Sequence, residues 1–584
     1  MIAHWISRCL PGFSVISLLV LLLLTSDIVT WPWDKSNSRR GSTPDGKPHP
    51  LSIVQRIFIL YTILVHVNLF GFTFRLAYAL FNMPRETKRA LQRRITWPLS
   101  PSADRRHLFD SVAKATQQLP DPSTFKINII TIDEVDEPEV IHAIILPNYN
   151  EELHTLRTTL NVLASHPRAR TQYEVYIAME EKETGAVEKA TELSSTYEKS
   201  FRRIHATFHP AGLPGEIAGK SSNVAFAARH IARVHRAALA SGTCDVIITV
   251  MDADTHLWQD YFTEIRRLHY TYVEEAGRTL YCCPILFDRN ADKVPTLVRC
   301  ADLLWSFAGL STMYPGTNVS IPTSVYSLPL SLAEKVGGWD SDPTAIGEDM
   351  HMMLKCYFET AGNVVTRVIP IPASQCNIAS DTGRSWWRSL STCFARYRQA
   401  LRHMWGALDS GFAARCTVSY FRLHSRCLFL RPRHLFLSHL LFEAHFLPCQ
   451  LIILILFSAG YEHLTPSTLL HPSMARTFRV TDILRTLSFL GMNVCLALYE
   501  RWHTLCLHTR RKDMLEANLT DTGFSHRVWW HWSFLLERIC FPIAGMVFGA
   551  VPTFQALFSH FWTERLEYRV SKKPAFATGD GDLA

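Results

Sequence analysis

The distribution of apolar residues constrains this 584-residue chain more than any other feature. Residues 57–74 run between Arg56 and Arg75 without a charge, and about 18 apolar residues is near the minimum for a helix that crosses a bilayer. The strongly basic stretch PRETKRALQRR (84–94) follows. Basic flanks mark the cytosolic side of a membrane helix, so the next domain is expected in the cytosol. FSVISLLVLLLLTSDIVTW (13–31) has no small-residue cleavage site behind it and reads as an anchor rather than a signal peptide. Three further candidate spans lie at 434–461, 486–499 and 539–562, the last with Pro542 and Pro552 as expected kinks. The loop 501–527 carries Arg501, Arg510, Arg511 and Lys512, which predicts an in-out-in path between 434 and 527. The formal net charge of +8 is concentrated beside the apolar runs. That pattern suits a membrane surface, and no nucleic-acid partner is expected. The 14 cysteines include no C-x-x-C pair, so neither a zinc site nor a secreted disulfide framework is indicated, and reduced thiols are expected.

Residues 140–375 have a different texture. Short apolar runs at 140–147, 173–179, 203–208, 245–251 and 279–287 alternate with helical patterns at 151–166, 183–200, 220–239 and about 259–274. Such alternation predicts an α/β domain, a Rossmann-like, mostly parallel sheet covered on both faces. Ligands bind such sheets beyond the carboxyl ends of the strands, and the polar clusters NYNEE, MEEKE and DADTH all fall there. The expected plan is a membrane region (1–83), a basic linker (84–139), the α/β domain (140–375), interfacial amphipathic helices (376–430), membrane helices (431–562) and a flexible tail (563–584). Residues 34–48 also read as flexible.

In VMDADTH (250–256) two carboxylates stand one residue apart at a strand end. Along an extended backbone residues i and i+2 share a side, so Asp252 and Asp254 are expected to converge. Like charges held together need a cation between them. Mg²⁺ or Mn²⁺ fits, since Mg²⁺ is often held by one or two carboxylates plus substrate phosphates. A solvated turn is the plain alternative, and His256 is either a further ligand or a helix cap. PGEIAGKSSN (214–223) places Lys220 and Asn223 at a helix start, where backbone N–H groups and the lysine favour an anion. Taken alone, a solvated loop lysine is the simpler reading. AIGEDMHMMLKCYF (345–358) puts Glu348 and Asp349 at another helix start, as caps or, in a cleft, as a general base. SWWRSLSTCFARYRQALRHMWG (385–406) reads as a helix lying on a membrane. Gln399, Arg402 and His403 share one of its faces, and Trp405 points elsewhere.

In this order the segments resemble family 2 glycosyltransferases, and most closely the membrane-embedded branch of cellulose, chitin and hyaluronan synthases, with a fungal subgroup of it the nearest likeness. The likeness rests on Pro147, Tyr149, Asn150 and Glu151, then GKSSN, DADTH, GED and a Q-x-x-R element, and covers about residues 140–410. It implies a GT-A fold that binds a nucleotide sugar and inverts the sugar carbon. By position, Tyr149 and Glu151 line the nucleotide pocket, and Lys220, with Asn223 beside it, holds the diphosphate. Asp252 and Asp254 hold the metal. Asp349, next to Glu348, is the general base. Gln399 and Arg402 meet the acceptor and the departing diphosphate.

Two departures stand out. The family often grips its base with an Asp after the second strand, where this chain offers Glu180 and Glu181. The synthases follow the Arg with Trp, where this chain has His403. The expected function is an integral membrane transferase of the Golgi, ER or plasma membrane. It would use a UDP-hexose or UDP-N-acetylhexosamine donor to extend a polysaccharide or glycan, with membrane lipids around it. A transferase adding one sugar to a lipid or glycolipid acceptor, and an inactive membrane scaffold, are the alternatives. The sequons at Asn318 and Asn518 lie on the expected cytosolic side and are expected to stay unmodified.

Overall fold

The computed structural model describes residues 2–26, 50–96, 140–216, 219–241, 245–380, 385–423, 431–466, 470–519 and 532–566. The low-complexity stretch 34–48, residues 97–139 of the expected linker and the tail from 567 lie outside these. Two helices precede the α/β domain: α1 (Ile2–Thr25) and α2 (Ile53–Thr96). The basic segment from residue 84, expected as linker, is helical as far as 96, with Pro84 inside the helix. The candidate anchor also begins earlier than 13.

The domain opens with β1 (Val140–Asn148), which is apolar apart from His142 and the terminal Asn148 and is buried on both faces, as the centre of a parallel sheet requires. Then come α3 (Leu153–Ala164), β2 (Tyr173–Glu180), α4 (Ala186–Tyr197), β3 (Arg203–His209), α5 (Lys220–Val234), β4 (Asp245–Val250) and α6 (Gln259–Thr271). The helix expected over 220–239 ends at Val234, and a short turn of helix follows at Arg236–Ser241. The run 279–287 is two strands, β5 (Thr279–Cys282) and β6 (Ile285–Phe287). Pro284 has no N–H to give a ladder, and the chain changes sheet there. After α7 (Thr296–Leu310) come β7 (Tyr326–Pro329), α8 (Glu348–Glu359), β8 (Val365–Val368) and β9 (Ala373–Gln375). The three strands were not expected, because runs this short carry no period.

The main sheet has the order β3-β2-β1-β4-β7-β5-β8, and β6 pairs with β9 apart from it. All pairs are parallel except those made by β7, which runs antiparallel to β4 and β5. Strand order reverses between β1 and β4. That switch point, at the carboxyl edge, is where a crevice opens in such sheets.

Beyond the domain, α9 (Ser385–Met404) exposes Trp386, Trp387, Leu390 and Phe394, whereas α10 (Leu408–Leu423) packs against α1. A methyl placed on Gly411 would meet Ser7 O at 2.3 Å, so only glycine permits this approach. The single span expected at 434–461 is two helices, α11 (Pro432–His445) and α12 (Leu447–Leu464), broken just before Pro448, which starts the second. The short candidate 486–499 is the middle of α13 (Pro472–Glu516), which also takes up most of the expected 501–527 loop. Its length comes from pairing along α2: Cys495 and Trp502 donate to Thr73 O and Thr87 Oγ1. The last span is α14 (Ser533–Ala544), a π turn (Gly545–Ala550) and α15 (Val551–Ser559), with Pro542 and Pro552 on either side of the turn. Among the described residues, five helical stretches are long and apolar enough to cross a membrane: Ile2–Thr25, Ile53–Arg93, Leu447–Leu464, Pro472–Glu516 and Phe534–Ser559. No disulfide joins the described cysteines.

Candidate active site

At the end of β4 the backbone does not stay extended. Asp252 to Thr255 form a turn closed by Thr255 N–H on Asp252 O at 3.0 Å. The alternation expected to align Asp252 with Asp254 therefore does not hold. The Asp252 side chain is 37% exposed at the cleft, whereas Asp254 is buried and its carbonyl accepts from Arg289 at 2.6 Å. His256 is neither a cap nor at the cleft. It is buried, bridges backbone to backbone with Ser374, and its Nδ1 meets Arg510 of α13 at 2.5 Å.

Lys220 opens α5 and reaches across the sheet edge. Its Nζ lies 2.8 Å from Asp252 Oδ1 and 3.0 Å from Glu348 Oε2. Burial opposes the ammonium charge, but Asp252, Glu348 and Asp349 outweigh it and hold this amine well above its ordinary value. The cation beside Asp252 is thus a lysine contributed by the preceding strand connection, between β3 and β4. Glu348 is buried at the start of α8 and also accepts from Tyr326 OH, which in turn accepts from Trp339 Nε1 at 2.7 Å. Burial raises the Glu348 carboxyl, against the pull of Lys220. Asp349 is half-buried, with Oδ1 accepting from its neighbour's Met350 N–H at 2.8 Å.

Ser324 joins these motifs. Its N–H donates to Asp349 Oδ2, its hydroxyl to Asp252 Oδ2, and its carbonyl accepts from Lys220 at 3.5 Å. It can do so because its φ is 67°, with Val325 N–H turned back onto Thr323 O at 2.7 Å. A non-glycine residue held there costs about 1–3 kcal/mol and persists only where the surroundings fix it. Gln375, at the end of β9, donates to Ser324 Oγ at 2.8 Å, Thr255 Oγ1 at 3.2 Å and Asp252 Oδ2 at 3.5 Å. Neither residue was singled out from the sequence. IPTSVYS carries no turn residue to announce a positive φ, and β9 is too short to reveal which strand end Gln375 occupies.

On the other side of the crevice, Lys182 lies over the Tyr149 ring at 4.4 Å, and Glu151 O accepts from Lys189 at 2.7 Å. Glu183, also missed, is buried and ties the loops after β1 and β2 together through Asn148 Nδ2 and Asn150 N–H, both at 2.9 Å. Of the two candidate base-binding acids, Glu180 is buried with His209 Nδ1 3.3 Å away, and Glu181 is exposed. Asn223 is buried and donates to Ala178 O at 2.7 Å, so it fixes α5 on β2.

The end of α9 abuts α8. A methyl on Gly347 would come within 3.6 Å of Gly406 Cα and 2.7 Å of Asp409 Oδ2. His403, one turn earlier, stacks on Trp305 of α7 with ring centroids 4.2 Å apart. Arg402 and Gln399 are half-buried on the same helix. Trp405 lies off that face, buried, with Nε1 donating to Glu564 O at 3.2 Å. Among the described residues no group of three or more His, Cys, Asp or Glu side chains is arranged to hold a metal ion. Asp252, half-exposed at the cleft, fits an ion that completes its coordination with a ligand's phosphate oxygens.

Residues 247–499, from β4 into the middle of α13, match the family model described as glycosyl transferase family group 2. No curated protein sequence matches the chain. Among solved structures the chain is similar to the mannosyltransferase PcManGT from Pyrobaculum calidifontis in complex with GDP-Man and Mn²⁺. That match has 15% identity over 77% of this chain and 98% of that one, with a TM-score of 0.36. It is also similar to S. aureus TarS 1-349, at 11% identity over 64% of this chain and 92% of that one, with a TM-score of 0.25. The sheet order, its polar carboxyl edge and the family match agree: the chain has a GT-A-like glycosyltransferase fold, and its residues 247–499 match the family 2 glycosyltransferase model.

Proposed function

We propose that the chain is an integral membrane, inverting glycosyltransferase that moves a sugar from a nucleotide donor, a UDP-hexose or UDP-N-acetylhexosamine, to a hydroxyl of a growing glycan. The observation that carries this reading is the cluster of Lys220, Asp252, Ser324 and Asp349 at the carboxyl edge beside the β1–β4 switch. The donor's diphosphate docks against Lys220, whose charge is held in place by carboxylates before the ligand arrives. Tyr149 and the loops joined by Glu183 border the nucleoside. Asp349 takes the proton of the acceptor hydroxyl. The oxygen forms a bond to C1 as the C1–O bond to phosphate breaks, and the electron pair leaves with the diphosphate. Lys220 and Arg402 stabilise that charge. Asp252, the one of the two aspartates exposed at the cleft, would hold a Mg²⁺ or Mn²⁺ together with the donor's phosphate oxygens, and the ion would supply further positive charge for the leaving diphosphate.

The exposed Trp386, Trp387 and Phe394 of α9 and the five apolar stretches support a bilayer location, with the domain on the cytosolic side as the basic flanks suggest. One observation favours transfer of a single sugar to a lipid or glycolipid acceptor as a second reading. His403 stacks on Trp305 where the synthases carry Trp in the helix itself. The test is to incubate full-length protein in lipid nanodiscs with UDP-glucose, UDP-N-acetylglucosamine and GDP-mannose, with Mn²⁺ or EDTA, and to size the products. A ladder from one UDP-sugar, lost in EDTA, is expected. A single-addition lipid product would select the second reading, and release from GDP-mannose alone would overturn the donor assignment.

A further inference from the structure

Resting on this reading of the cleft, we propose that His351 is a positioning residue: clamped between Asp409 and Asp340, it fixes Asp349 relative to the end of α9. Its ring is buried and both nitrogens face carboxylates. Nδ1 lies 2.6 Å from Asp409 Oδ1 and Nε2 lies 3.1 Å from Asp340 Oδ2. A neutral imidazole has one N–H, so two carboxylate acceptors are best served by the imidazolium, which donates from both. The flat side of the ring packs on Phe412, with centroids 4.2 Å apart.

The partners of this ring, Asp340 before α8 and Asp409 and Phe412 on α10, link three of the elements around the cleft. His351 stands in the first turn of α8, two residues after Asp349, and its N–H donates to Gly347 O at 2.8 Å. Asp409 lies in the first turn of α10, directly after the end of α9 that carries Arg402 and His403. Asp340 O accepts from the hydroxyl of Ser221, the residue after Lys220, at 2.7 Å, and its carboxylate also holds Lys355 at 2.6 Å. One buried cation therefore joins the phosphate-binding lysine's helix, the base-bearing helix and the acceptor-side helix. The absent side chain of Gly347 leaves no slack between the last two. Misplacing a reacting group by about 1 Å can cost about 100-fold in rate.

The charged and titratable groups around the pair are Asp340 and Asp342 before α8, Asp349, Lys355 and Glu359 on α8, and Arg415 and Cys416 further along α10. Burial works against the His351 charge, but Asp409 and Asp340 outweigh it and carry the ring from 6.5 up to about 9. A raised histidine contributes its stabilisation fully below the unfolded value of 6.5 and loses it as pH rises through about 9.

The test measures kcat, donor KM and the pH profile of kcat for full-length wild type, His351→Gln and Asp409→Asn in nanodiscs. The probe is whichever of UDP-glucose, UDP-N-acetylglucosamine and GDP-mannose the wild type turns over. For His351→Gln, kcat is expected to fall about tenfold or more with donor KM within about twofold. For the isosteric Asp409→Asn, the alkaline limb is expected to move to lower pH, because the histidine loses its stronger acceptor. A merely structural role would reduce the folded fraction and leave the limb in place. If His351→Gln does not fold, the limb of Asp409→Asn decides alone. Wild-type kcat in His351→Gln, or an unmoved limb in Asp409→Asn, overturns the proposal. A wild type that turns over none of the donors sinks the transfer reading and this inference with it.

Discussion

Two clusters in the described structure set one cation between two carboxylates in contrasting surroundings. At the cleft Lys220 sits between Asp252 and Glu348, with lysine and aspartate side chains 23% and 37% exposed. Where the α/β domain meets the helical bundle, Arg299 of α7 sits between Glu500 of α13 and Glu537 of α14, at 3.0 and 2.6 Å, and all three are buried. His503 Nδ1 lies 3.0 Å from Glu500 and extends the second cluster. The difference lies in the cation and its access to water. Arginine's planar fork suits fixed pairs, and lysine is a compact charge on a flexible stem. A buried pair broken from one side leaves an uncompensated charge, so the Arg299 cluster holds the domain to the bundle. A partly exposed lysine can trade carboxylate partners for a diphosphate, so the Lys220 cluster is suited to a ligand.

Substitutions separate the two clusters. The largest effect is expected from Asp349→Asn beside the first cluster. Loss of a general base lowers turnover by about 10²–10⁴-fold, with donor affinity and melting temperature close to wild type. Next, Arg299→Met should cost about 3–5 kcal/mol in stability, because it leaves two buried carboxylates facing each other. Thermal melting in detergent reads this directly, and a variant that melts like wild type would show that the cluster is not an anchor. Lys220→Arg keeps the charge but not its shape. Turnover is expected to fall about tenfold with little change in melting, the reverse of Arg299→Met. The smallest effect is expected from Ser324→Gly. Glycine relieves the positive φ, worth about 1 kcal/mol, so stability should hold or rise while activity falls with the lost hydroxyl. A Ser324→Gly variant that is fully active would remove Ser324 from the site.

The two clusters also differ in how far the sequence reveals them. The parallel half of the sheet was legible because β1, β2 and β4 are largely apolar runs ending in polar clusters; Asp252 follows from such an end, and Lys220, Glu348 and Asp349 follow from helix starts. Their mutual distances did not follow, and the turn at 252–255 defeated the simple alternation rule. Ser324 and Gln375 were invisible because their roles depend on long-range packing between short elements, and Glu183, inside the MEEKE cluster, was visible only as one of several acids there. The Arg299 cluster was hidden for the same reason: Arg299 lies 201 and 238 positions from its two acids in the chain. In the bundle, apolar runs located spans but not helix ends. The 45 residues of α13 continue past any hydrophobic limit because α2 runs alongside them.

The sequon at Asn318 has a structural reason to stay unmodified, independent of topology. Ser320 is fully buried, with its hydroxyl donating to Thr312 O at 3.0 Å.

The central claim is that the half-exposed cluster binds a donor diphosphate and that Asp349 then supplies the base. The most direct measurement is nucleotide-diphosphate release by wild type and Asp349→Asn side by side, with nucleotide binding measured on the same samples. The account predicts that both proteins bind UDP and that only the wild type releases it from a UDP-sugar. Equal release by both would contradict the assignment of the base. Binding by neither would contradict the cleft itself.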